Sequence, residues 1–260
     1  MSINHLINKA QIAKRFAQAQ QSYDGHAWVQ QKICQNLSVL MDQYLEKQAL
    51  STVLDIGCGS GQLSHLIAEK IQVDEWFLND LYPEIKVHYS DFKQVNFLIG
   101  DIEKLSLDMP LDLVVSSSAL QWVKEIDGVF SKVSRQLKLN HLLCFSTFGR
   151  QNLTEIRQLT GHGLDYLSEL ELKLSLEKNG FEILHFSESL EMMPFEHPKQ
   201  ILQHLKATGV TATAKKFRWN KSTLHTFYEA YEALIFQLGD GQKIYPLTYH
   251  PIYCIARRIK

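Results

Sequence analysis

Long hydrophobic runs are missing from this sequence. No stretch reaches the roughly 18 uninterrupted apolar residues that a membrane-spanning helix requires. The opening residues, MSINHLINKAQIAKRF, also lack the continuous apolar core of a secretory signal. These two absences predict a cytoplasmic protein.

Excess charge of either sign is missing as well. The 260 residues include 27 Lys and Arg against 28 Asp and Glu, which leaves no electrostatic signature for binding nucleic acid or an anionic membrane. A charged partner would therefore have to be recognised by a local patch.

Cysteine is scarce, and the spacings that mark metal sites and hydrolases do not occur. Cys34, Cys58, Cys144 and Cys254 form no C-x-x-C pair, so we expect reduced, buried thiols. There is no H-E-x-x-H, and His197 and His204 are too far apart for one helical turn, which predicts no metal site. Hydrolase chemistry is disfavoured because G-x-S-x-G is absent.

What the sequence does contain is an alternation of strands and helices. Residues 8 to 46 have the periodicity of two amphipathic helices. The predicted strands that follow are TVLDIG, EWFLNDL, VNFLIGDI, LDLVVSSSAL and HLLCFSTF, and the predicted helices between them are QLSHLIAEKI, EIKVHYSDFK and DGVFSKVSRQL. Such alternation indicates βαβ units and a mostly parallel α/β sheet, with ligands at the carboxyl ends of the strands.

The regular alternation of predicted strands and helices ends at about residue 150. DYLSELELKLSLEKNG predicts a helix that ends at Gly180, and FEILHFSESLEM predicts a strand. The segment from Pro198 to about Leu238 is expected to be all-helical and to form a lid before one final strand, YPLTYHPIYCIARRI. We therefore predict an N-terminal helical cap over residues 1–48 and one domain over 49–260 with a helical insert at about 197–240.

The stretch VLDIGCGSGQL places Gly57, Gly59 and Gly61 directly after a predicted strand and before a predicted helix. Glycines there let a ligand approach the backbone closely, and the helix offers free N–H groups. The spacing G-x-G-x-G differs from the dinucleotide pattern G-x-G-x-x-G. A plain tight turn is the alternative explanation for this stretch alone.

Acidic residues end three successive predicted strands. Asp55 would repel a pyrophosphate but attract the ammonium or sulfonium group of a zwitterionic ligand. Asp80 suits a ribose diol, and Asp101 can accept a hydrogen bond from an adenine amino group. Together the three acids favour a cationic nucleoside over a dinucleotide.

These motifs resemble those of the class I S-adenosylmethionine-dependent methyltransferases. VLDIGCGSG is similar to their first motif, FLNDL to the second, FLIGDIEKL to the third and LDLVVSSSALQWV to the fourth, in the same order. The resemblance implies a Rossmann-like seven-stranded sheet, mostly parallel with an antiparallel last strand, and S-adenosylmethionine as cofactor. The residues implied to bind it are Asp55, Gly57, Gly59, Gly61, Asn79, Asp80, Leu81, Asp101, Ile102, Ser116 and Ser117.

The flanking phrases IAKRFAQAQQSYDGHAWVQ, LLCFSTFG and ILQHLKATGV resemble the malonyl-acyl-carrier-protein O-methyltransferases. That family methylates the free carboxylate of a malonyl thioester on acyl carrier protein, at the start of biotin synthesis. A carboxylate is ionised at neutral pH, so no general base is required, but a cation should orient it. A basic patch should also bind the acidic carrier. We expect this patch in the lid, at Lys206, Lys215, Lys216 and Arg218.

Four residues are candidates for the acceptor side of the reaction. Arg150 follows the strand HLLCFSTFG and could hold the acceptor carboxylate, and Tyr23 could close over the cofactor. Gln121 and Trp122 follow the fourth predicted strand, next to the expected methyl position. For each of these residues, ordinary packing or an exposed loop position is the alternative.

Three other functions stay open from the sequence. The chain could methylate a free small acid or a quinone-like acceptor, or it could bind a nucleoside without catalysis. A dehydrogenase is a more distant alternative, which preferential binding of NAD would favour.

Overall fold

The computed structural model describes residues 9–10, 12–15, 17, 28–46, 49–208, 220–237 and 241–260. The chain forms two compact units, each built from separate stretches of sequence. The larger unit consists of Trp28–Phe148, Leu167–Glu188 and Ile252–Lys260. The smaller unit consists of Met1–Ala27, Gly149–Tyr166 and Ser189–Pro251.

The larger unit is organised around a seven-stranded sheet. Its strands are β1 (Ala49–Ile56), β2 (Gln72–Asp80), β3 (Val95–Ile99), β4 (Leu111–Ser117), β5 (Leu137–Phe148), β6 (Phe181–Glu188) and β10 (Pro251–Arg258). Their order across the sheet is β3-β2-β1-β4-β5-β10-β6. The pairings from β3 to β5 are parallel, and β10 is antiparallel to β6. The predicted mostly parallel sheet with an antiparallel last strand is confirmed.

The central strands β1 and β4 are apolar because a parallel sheet is covered on both faces. Val53 and Leu54 of β1 are fully buried, as are Leu113, Val114 and Val115 of β4. Their register places Val53 opposite Leu113, so that the last residues of the two strands lie at the same edge. The loops that follow β1 and β4 are therefore neighbours at this carboxyl edge.

Helices pack against this sheet. Those of the larger unit are α1 (Trp28–Met41), α2 (Gln62–Ala68), α3 (Ile126–Gln136) and α5 (Glu169–Lys178), with short 3-10 helices at Pro83–Tyr89 and Leu120–Trp122. Helix α5 begins with a capping box between Ser168 and Glu171 and is followed by Gly180 at φ 81°. The predicted end of this helix at Gly180 is confirmed.

Helix α1 is the second of the two helices expected in the N-terminal region. Its buried residues Val29, Ile33, Leu37 and Met41 recur every four positions and form one apolar stripe. This helix contacts α2 and the strands β4 and β5. Residues 12–15 are helical as well, in agreement with the first expected helix.

The smaller unit contains a second, antiparallel sheet. Its strands are β7 (Glu191–Phe195), β8 (Phe236–Gln237) and β9 (Lys243–Tyr249), in the order β7-β9-β8. The helices described for this unit are α4 (Thr154–Thr160), α6 (Pro198–Ala207) and α7 (Lys221–Tyr231), followed by a 3-10 helix at Glu232–Leu234.

Two segments that were expected to form single strands form two strands each. YPLTYHPIYCIARRI divides at His250 into β9 and β10, which belong to different sheets, and FEILHFSESLEM divides into β6 and the start of β7. The expectation of one strand was wrong in both cases. A continuous strand-like sequence does not show where a chain changes sheets, although Pro251, which lacks a backbone N–H, stands at one break.

The expectation of an all-helical segment from Pro198 to about Leu238 was also wrong. Its end forms strand β8, where Phe236 pairs with Ile244 of β9. Ile235 and Phe236 are β-favouring residues, which accounts for this strand. EIKVHYSDFK contains a 3-10 helix rather than an α-helix, at Pro83–Tyr89. The division into residues 1–48 and 49–260, with its lid, stays a prediction.

Within the described ranges the chain has neither a disulfide nor a membrane helix. Cys34, Cys58, Cys144 and Cys254 are all free and buried, which confirms the expected thiols. None of the described helices combines the length and apolar character needed to span a membrane.

Candidate functional site

The glycine loop connects β1 to α2 at the carboxyl edge of the larger sheet. A Cβ atom on Gly57 would lie 2.3 Å from the Cβ of Ala119, so only glycine fits beside the loop that follows β4. Gly59 has φ 52° and no heavy atom within 4 Å of its Cβ position. Gly61 takes up a left-handed conformation directly before α2. The loop is therefore packed tightly on its β4 side and open at Gly59, where a ligand could approach the backbone.

Asn79 fastens this loop to the neighbouring strands. Its carbonyl oxygen accepts hydrogen bonds from the N–H groups of Gly57 at 2.8 Å and Cys58 at 3.0 Å. Its side-chain amide donates to the carbonyls of Leu98 at 2.7 Å and Gly100 at 3.0 Å. Both amide hydrogens are thus used within the protein, and the side chain joins the ends of β2 and β3.

Asp80 ends β2 beside the open part of the loop. Its Oδ2 accepts a hydrogen bond from the Gly59 N–H at 2.9 Å, and its Oδ1 accepts one from the Leu81 N–H at 2.6 Å. Burial raises the pKa of this carboxyl to about 6, against the effect of the two hydrogen bonds. Each carboxylate oxygen retains a further lone pair that could accept a hydrogen bond from a hydroxyl group.

Asp55 is only 1% exposed and lies underneath the same loop. Its Oδ2 accepts a hydrogen bond from the Ser64 hydroxyl of α2 at 2.6 Å. Burial raises the pKa of Asp55 to about 7; the Ser64 hydrogen bond lowers it, and the nearby charge of Asp80 raises it. Two buried carboxyls with raised pKa values at neighbouring strand ends mark this edge as a candidate binding site.

Asp101 and Ile102 follow β3 in a loop with its own hydrogen bonds. The Asp101 Oδ1 accepts from the Glu103 N–H at 3.1 Å. Lys132 of α3 donates to the carbonyl of Ile102 at 2.7 Å and to that of Leu105. The Lys132 side chain of α3 therefore fixes the loop that carries Asp101.

The serines after β4 differ in their surroundings. Ser116 is fully buried and donates to the Ile56 carbonyl at 2.7 Å, which is a structural hydrogen bond. Ser117 shares a hydrogen bond with the Ser146 hydroxyl at 3.0 Å and accepts one from the Cys34 thiol at 3.2 Å. Ser118 has φ 54°, and its buried hydroxyl oxygen has no hydrogen-bond partner among the described residues.

Gln121 and Trp122 lie in the 3-10 helix that follows these serines. The Gln121 amide donates to the Ser118 carbonyl at 2.5 Å, and its oxygen accepts from the Thr147 hydroxyl at 3.4 Å. Trp122 is 8% exposed. Gln121 thus connects the ends of β4 and β5, and both residues are placed at the carboxyl edge.

The remaining predicted residues lie elsewhere or outside the description. Arg150 belongs to the smaller unit, two residues after β5; it is exposed, and its carbonyl accepts a hydrogen bond from the Arg157 guanidinium at 2.6 Å. Lys206 is exposed on α6. Tyr23, Lys215, Lys216 and Arg218 lie outside the described residues. The structure therefore brings the cofactor candidates together and leaves the acceptor and carrier candidates as predictions.

Several residues that support the site were not predicted from the sequence, because they belong to no recognisable motif. Ser64 hydrogen-bonds to Asp55, and the buried Tyr89 hydroxyl donates to the Cys58 carbonyl at 3.2 Å within the glycine loop. Lys132 fixes the loop after β3. Only the position of Ser64, three residues after the last glycine of the motif, offered a signal in the sequence.

The donor and acceptor groups at this edge suit a nucleoside. In order across the sheet they are Asp101, Asp80 and the glycine loop above Asp55. The space at Gly59 is open because glycine has no side chain, and a larger residue at this position would fill it. The carboxylates beside the open backbone at Gly59 can accept hydrogen bonds from the hydroxyl groups of a ribose. A pyrophosphate would need cations at this position, and the strand ends carry acids instead.

The fold is that of a methyltransferase domain. A sequence profile of the methyltransferase domain matches residues 47–163. The structure is similar to the N-methyltransferase NodS of Bradyrhizobium japonicum, solved with S-adenosylhomocysteine: the TM-score is 0.52 at 11% identity, and the alignment covers 87% of each chain.

Sequence relatives narrow the class to one family. The chain is 45% identical to the malonyl-[acyl-carrier protein] O-methyltransferase of Acinetobacter baylyi over 97% of this chain and 98% of that one. It is 37% identical to the protein of the same name from Haemophilus influenzae, over 96% and 95% of the two chains. The chain belongs to the malonyl-[acyl-carrier protein] O-methyltransferase family.

Proposed function

We propose that this protein transfers a methyl group from S-adenosylmethionine to the free carboxylate of a malonyl thioester on acyl carrier protein, a step early in biotin synthesis. The similarity to relatives of that name along almost the whole chain carries the proposal. The arrangement of acids and glycines at the carboxyl edge supports the choice of cofactor.

The residues that would hold the cofactor are those at the ends of β1, β2 and β3. Asp80 would accept hydrogen bonds from the ribose hydroxyls, and Asp101 would accept one from the adenine amino group. The backbone at Gly59 would lie against the nucleoside, and the charge of Asp55 would favour its cationic end. Bound S-adenosylmethionine supplies an electrophilic methyl group on a positively charged sulfur.

The protein's own contribution to the reaction is to orient the two reactants and exclude water. A malonyl carboxylate has a pKa of roughly 3 to 4 and is already a nucleophile at neutral pH, so no side chain has to remove a proton. A guanidinium can hold a carboxylate through two parallel hydrogen bonds. We assign this role to Arg150, and to Tyr23 the closure over the cofactor.

The acyl carrier protein would be bound through opposite charge. Lys206 is exposed on α6, and Lys215, Lys216 and Arg218 follow it in the sequence. Such a patch would chiefly raise the rate of association with an acidic carrier, and its effect would fall as the salt concentration increases.

A labelled-methyl assay with a panel of acceptors tests the proposal. We expect transfer to malonyl-carrier protein and none to acetyl-carrier protein, which has the same thioester but lacks the free carboxylate. Transfer to free malonate or to a quinone-like phenol with equal efficiency would replace the proposed acceptor. Binding of S-adenosylhomocysteine without transfer to any acceptor would instead favour a non-catalytic nucleoside-binding protein.

A further inference from the structure

Gln30 and Ser118 share an unusual property within the described part of the chain. The Oε1 atom of Gln30 and the hydroxyl oxygen of Ser118 are buried without a hydrogen-bond partner. Gln30 as a whole is only 6% exposed. A buried polar atom without a partner destabilises a fold, and folded proteins pair nearly all such atoms. Two such atoms are therefore candidates for hydrogen bonds to a bound ligand.

Contacts at two levels of α1 show how this helix runs along the sheet. Lys70, which precedes β2 at the amino edge, donates to the Ser38 hydroxyl at 2.9 Å and to the Asp42 carboxylate at 2.7 Å. Cys34, one turn earlier in α1, donates to Ser117 at the carboxyl end of β4. Helix α1 thus runs from the carboxyl edge of the sheet toward the amino edge.

Gln30 lies one further turn toward the start of α1, on the same face as Cys34. Four residues of α-helix advance by about 6 Å, so Gln30 lies at or beyond the level of Ser117. The buried side chain of Gln30 is therefore placed at the carboxyl edge, next to the strand end that carries Ser118.

The order of polar groups along this edge limits what Gln30 can bind. Asp101 and Asp80 lie on the β3 and β2 side of the glycine loop, whereas Ser118 follows β4, and the contact of Cys34 with Ser117 places the start of α1, with Gln30, on that same side. With adenine and ribose at the two acids, the amino-acid end of the cofactor would extend toward β4. An unpaired amide oxygen requires a donor, and an ionised acceptor carboxylate has none, whereas an ammonium group has three.

We propose that Gln30 binds the α-ammonium group of the amino-acid end of the cofactor through its side-chain oxygen, with the Ser118 hydroxyl beside it. This inference rests on the proposed use of S-adenosylmethionine. Gln30 is then a binding residue whose hydrogen bond is completed only by the ligand, which accounts for its buried and unpaired oxygen.

Calorimetry with two ligands tests the assignment. S-adenosylhomocysteine carries the ammonium group, and 5′-methylthioadenosine has the same nucleoside and sulfur but lacks the amino-acid end. We expect Gln30→Met to weaken S-adenosylhomocysteine by about 10- to 100-fold and to leave methylthioadenosine unchanged. Gln30→Glu, which keeps an acceptor oxygen, should retain the preference for S-adenosylhomocysteine. The matched control is Gln35→Met, at an exposed position of the same helix.

Thermal unfolding of the ligand-free protein separates binding from structure. Because Gln30→Met removes an unpaired polar atom, its melting temperature should equal or exceed that of the wild type, while a structural role for Gln30 predicts a lower one. Unchanged S-adenosylhomocysteine affinity in Gln30→Met, or an equal loss for both ligands, would overturn the inference. Failure of the wild-type protein to bind S-adenosylhomocysteine would instead overturn the proposed function.

Discussion

The carboxylate of Asp80 in the larger unit accepts hydrogen bonds from the backbone of Gly59 and Leu81, whereas that of Glu155 in the smaller unit accepts both of its bonds from Thr248. Asp80 lies beside a loop with open space at Gly59. Glu155 is 5% exposed and joins α4 to the strand β9. Each carboxylate accepts two hydrogen bonds from the protein, but only Asp80 borders space that a ligand could fill.

The residues around Asp80 and those around Glu155 also differ in what their hydrogen bonds hold in place. In the larger unit, Asn79 and Lys132 hold the loops that surround the glycine backbone. In the smaller unit, the Asn152 side chain accepts from the His250 N–H at 3.1 Å and donates to the Tyr166 hydroxyl at 2.8 Å. The first network shapes a site, and the second fixes the segment that contains Arg150. Substitutions in the two units should therefore have different consequences.

Gly57→Ala should have the largest effect. The added Cβ would meet Ala119 at 2.3 Å, and Gly57 has φ 71°, so we expect a loss of about 2–4 kcal/mol in unfolding free energy. S-adenosylhomocysteine binding should fall with it, as measured by urea unfolding and calorimetry. The matched control, Gly161→Ala in the smaller unit, has φ 68° but nothing within 4 Å and should lose only about 1 kcal/mol. Equal losses in both variants would contradict the close approach to Ala119.

Asp80→Ala and Glu155→Gln test the comparison directly. We expect Asp80→Ala to weaken S-adenosylhomocysteine by about 1–3 kcal/mol, because the ribose hydroxyls lose their acceptor. Glu155→Gln should lower the unfolding free energy by about 1–2 kcal/mol, because it weakens the bonds to Thr248, and should leave ligand affinity unchanged. Calorimetry gives the ligand affinity of each variant, and urea unfolding gives its unfolding free energy. A loss of ligand affinity in Glu155→Gln would remove the distinction between the two carboxylates.

Arg150→Ala should act on the acceptor alone. We expect kcat/KM for malonyl-carrier protein to fall by roughly 10-fold or more, since a charge-assisted hydrogen bond to the carboxylate is lost. S-adenosylhomocysteine affinity should not change. Arg135→Ala, at an exposed position of α3, is the control for loss of a positive charge. Equal losses of cofactor binding and acceptor turnover would make Arg150 a structural residue.

The pH dependence of binding should show the smallest effect. Asp55 and Asp80 have pKa values raised to about 7 and about 6, so the affinity for cationic S-adenosylmethionine should rise about 3- to 10-fold between pH 5 and pH 8. Asp55→Asn should flatten this profile. Affinity that falls over this range would contradict the assigned charges.

Stability of the ligand-free protein should change in the opposite direction. A carboxyl whose pKa is higher in the folded state than in the unfolded state stabilises the fold when protonated, and this stabilisation is lost as pH rises through the folded value. Relative to Asp55→Asn, the wild type should therefore lose stability between about pH 4 and pH 7. Urea unfolding of the two proteins across this range measures the difference.

The positions of the cofactor candidates could be predicted from the sequence because these residues lie at strand ends next to a glycine turn. The spacing of VLDIGCGSG and the acids Asp80 and Asp101 predict a shared position at the carboxyl edge, where the structure places them. Gln30 and Lys132 could not be found in this way, because their placement depends on how α1 and α3 pack against distant strands. Periodicity shows which face of a helix is buried, but not which strand end it reaches.

The strands of the smaller unit were missed for a related reason. β9 and β10 follow each other with only His250 between them, and their separation depends on pairing with β7 and β6, which lie far away in the sequence. Local propensity contains no information about these partners. The register of Gly149 against His250, about 100 residues away, is of the same kind.

Intact-mass analysis of malonyl-carrier protein, after incubation with the enzyme and S-adenosylmethionine, tests whether the chain methylates the free carboxylate of a carrier-bound malonyl group. We expect one added methyl group that mild alkaline hydrolysis removes as methanol, and none on acetyl-carrier protein. An unmodified malonyl-carrier protein, or a methyl group located on the carrier polypeptide, would contradict it.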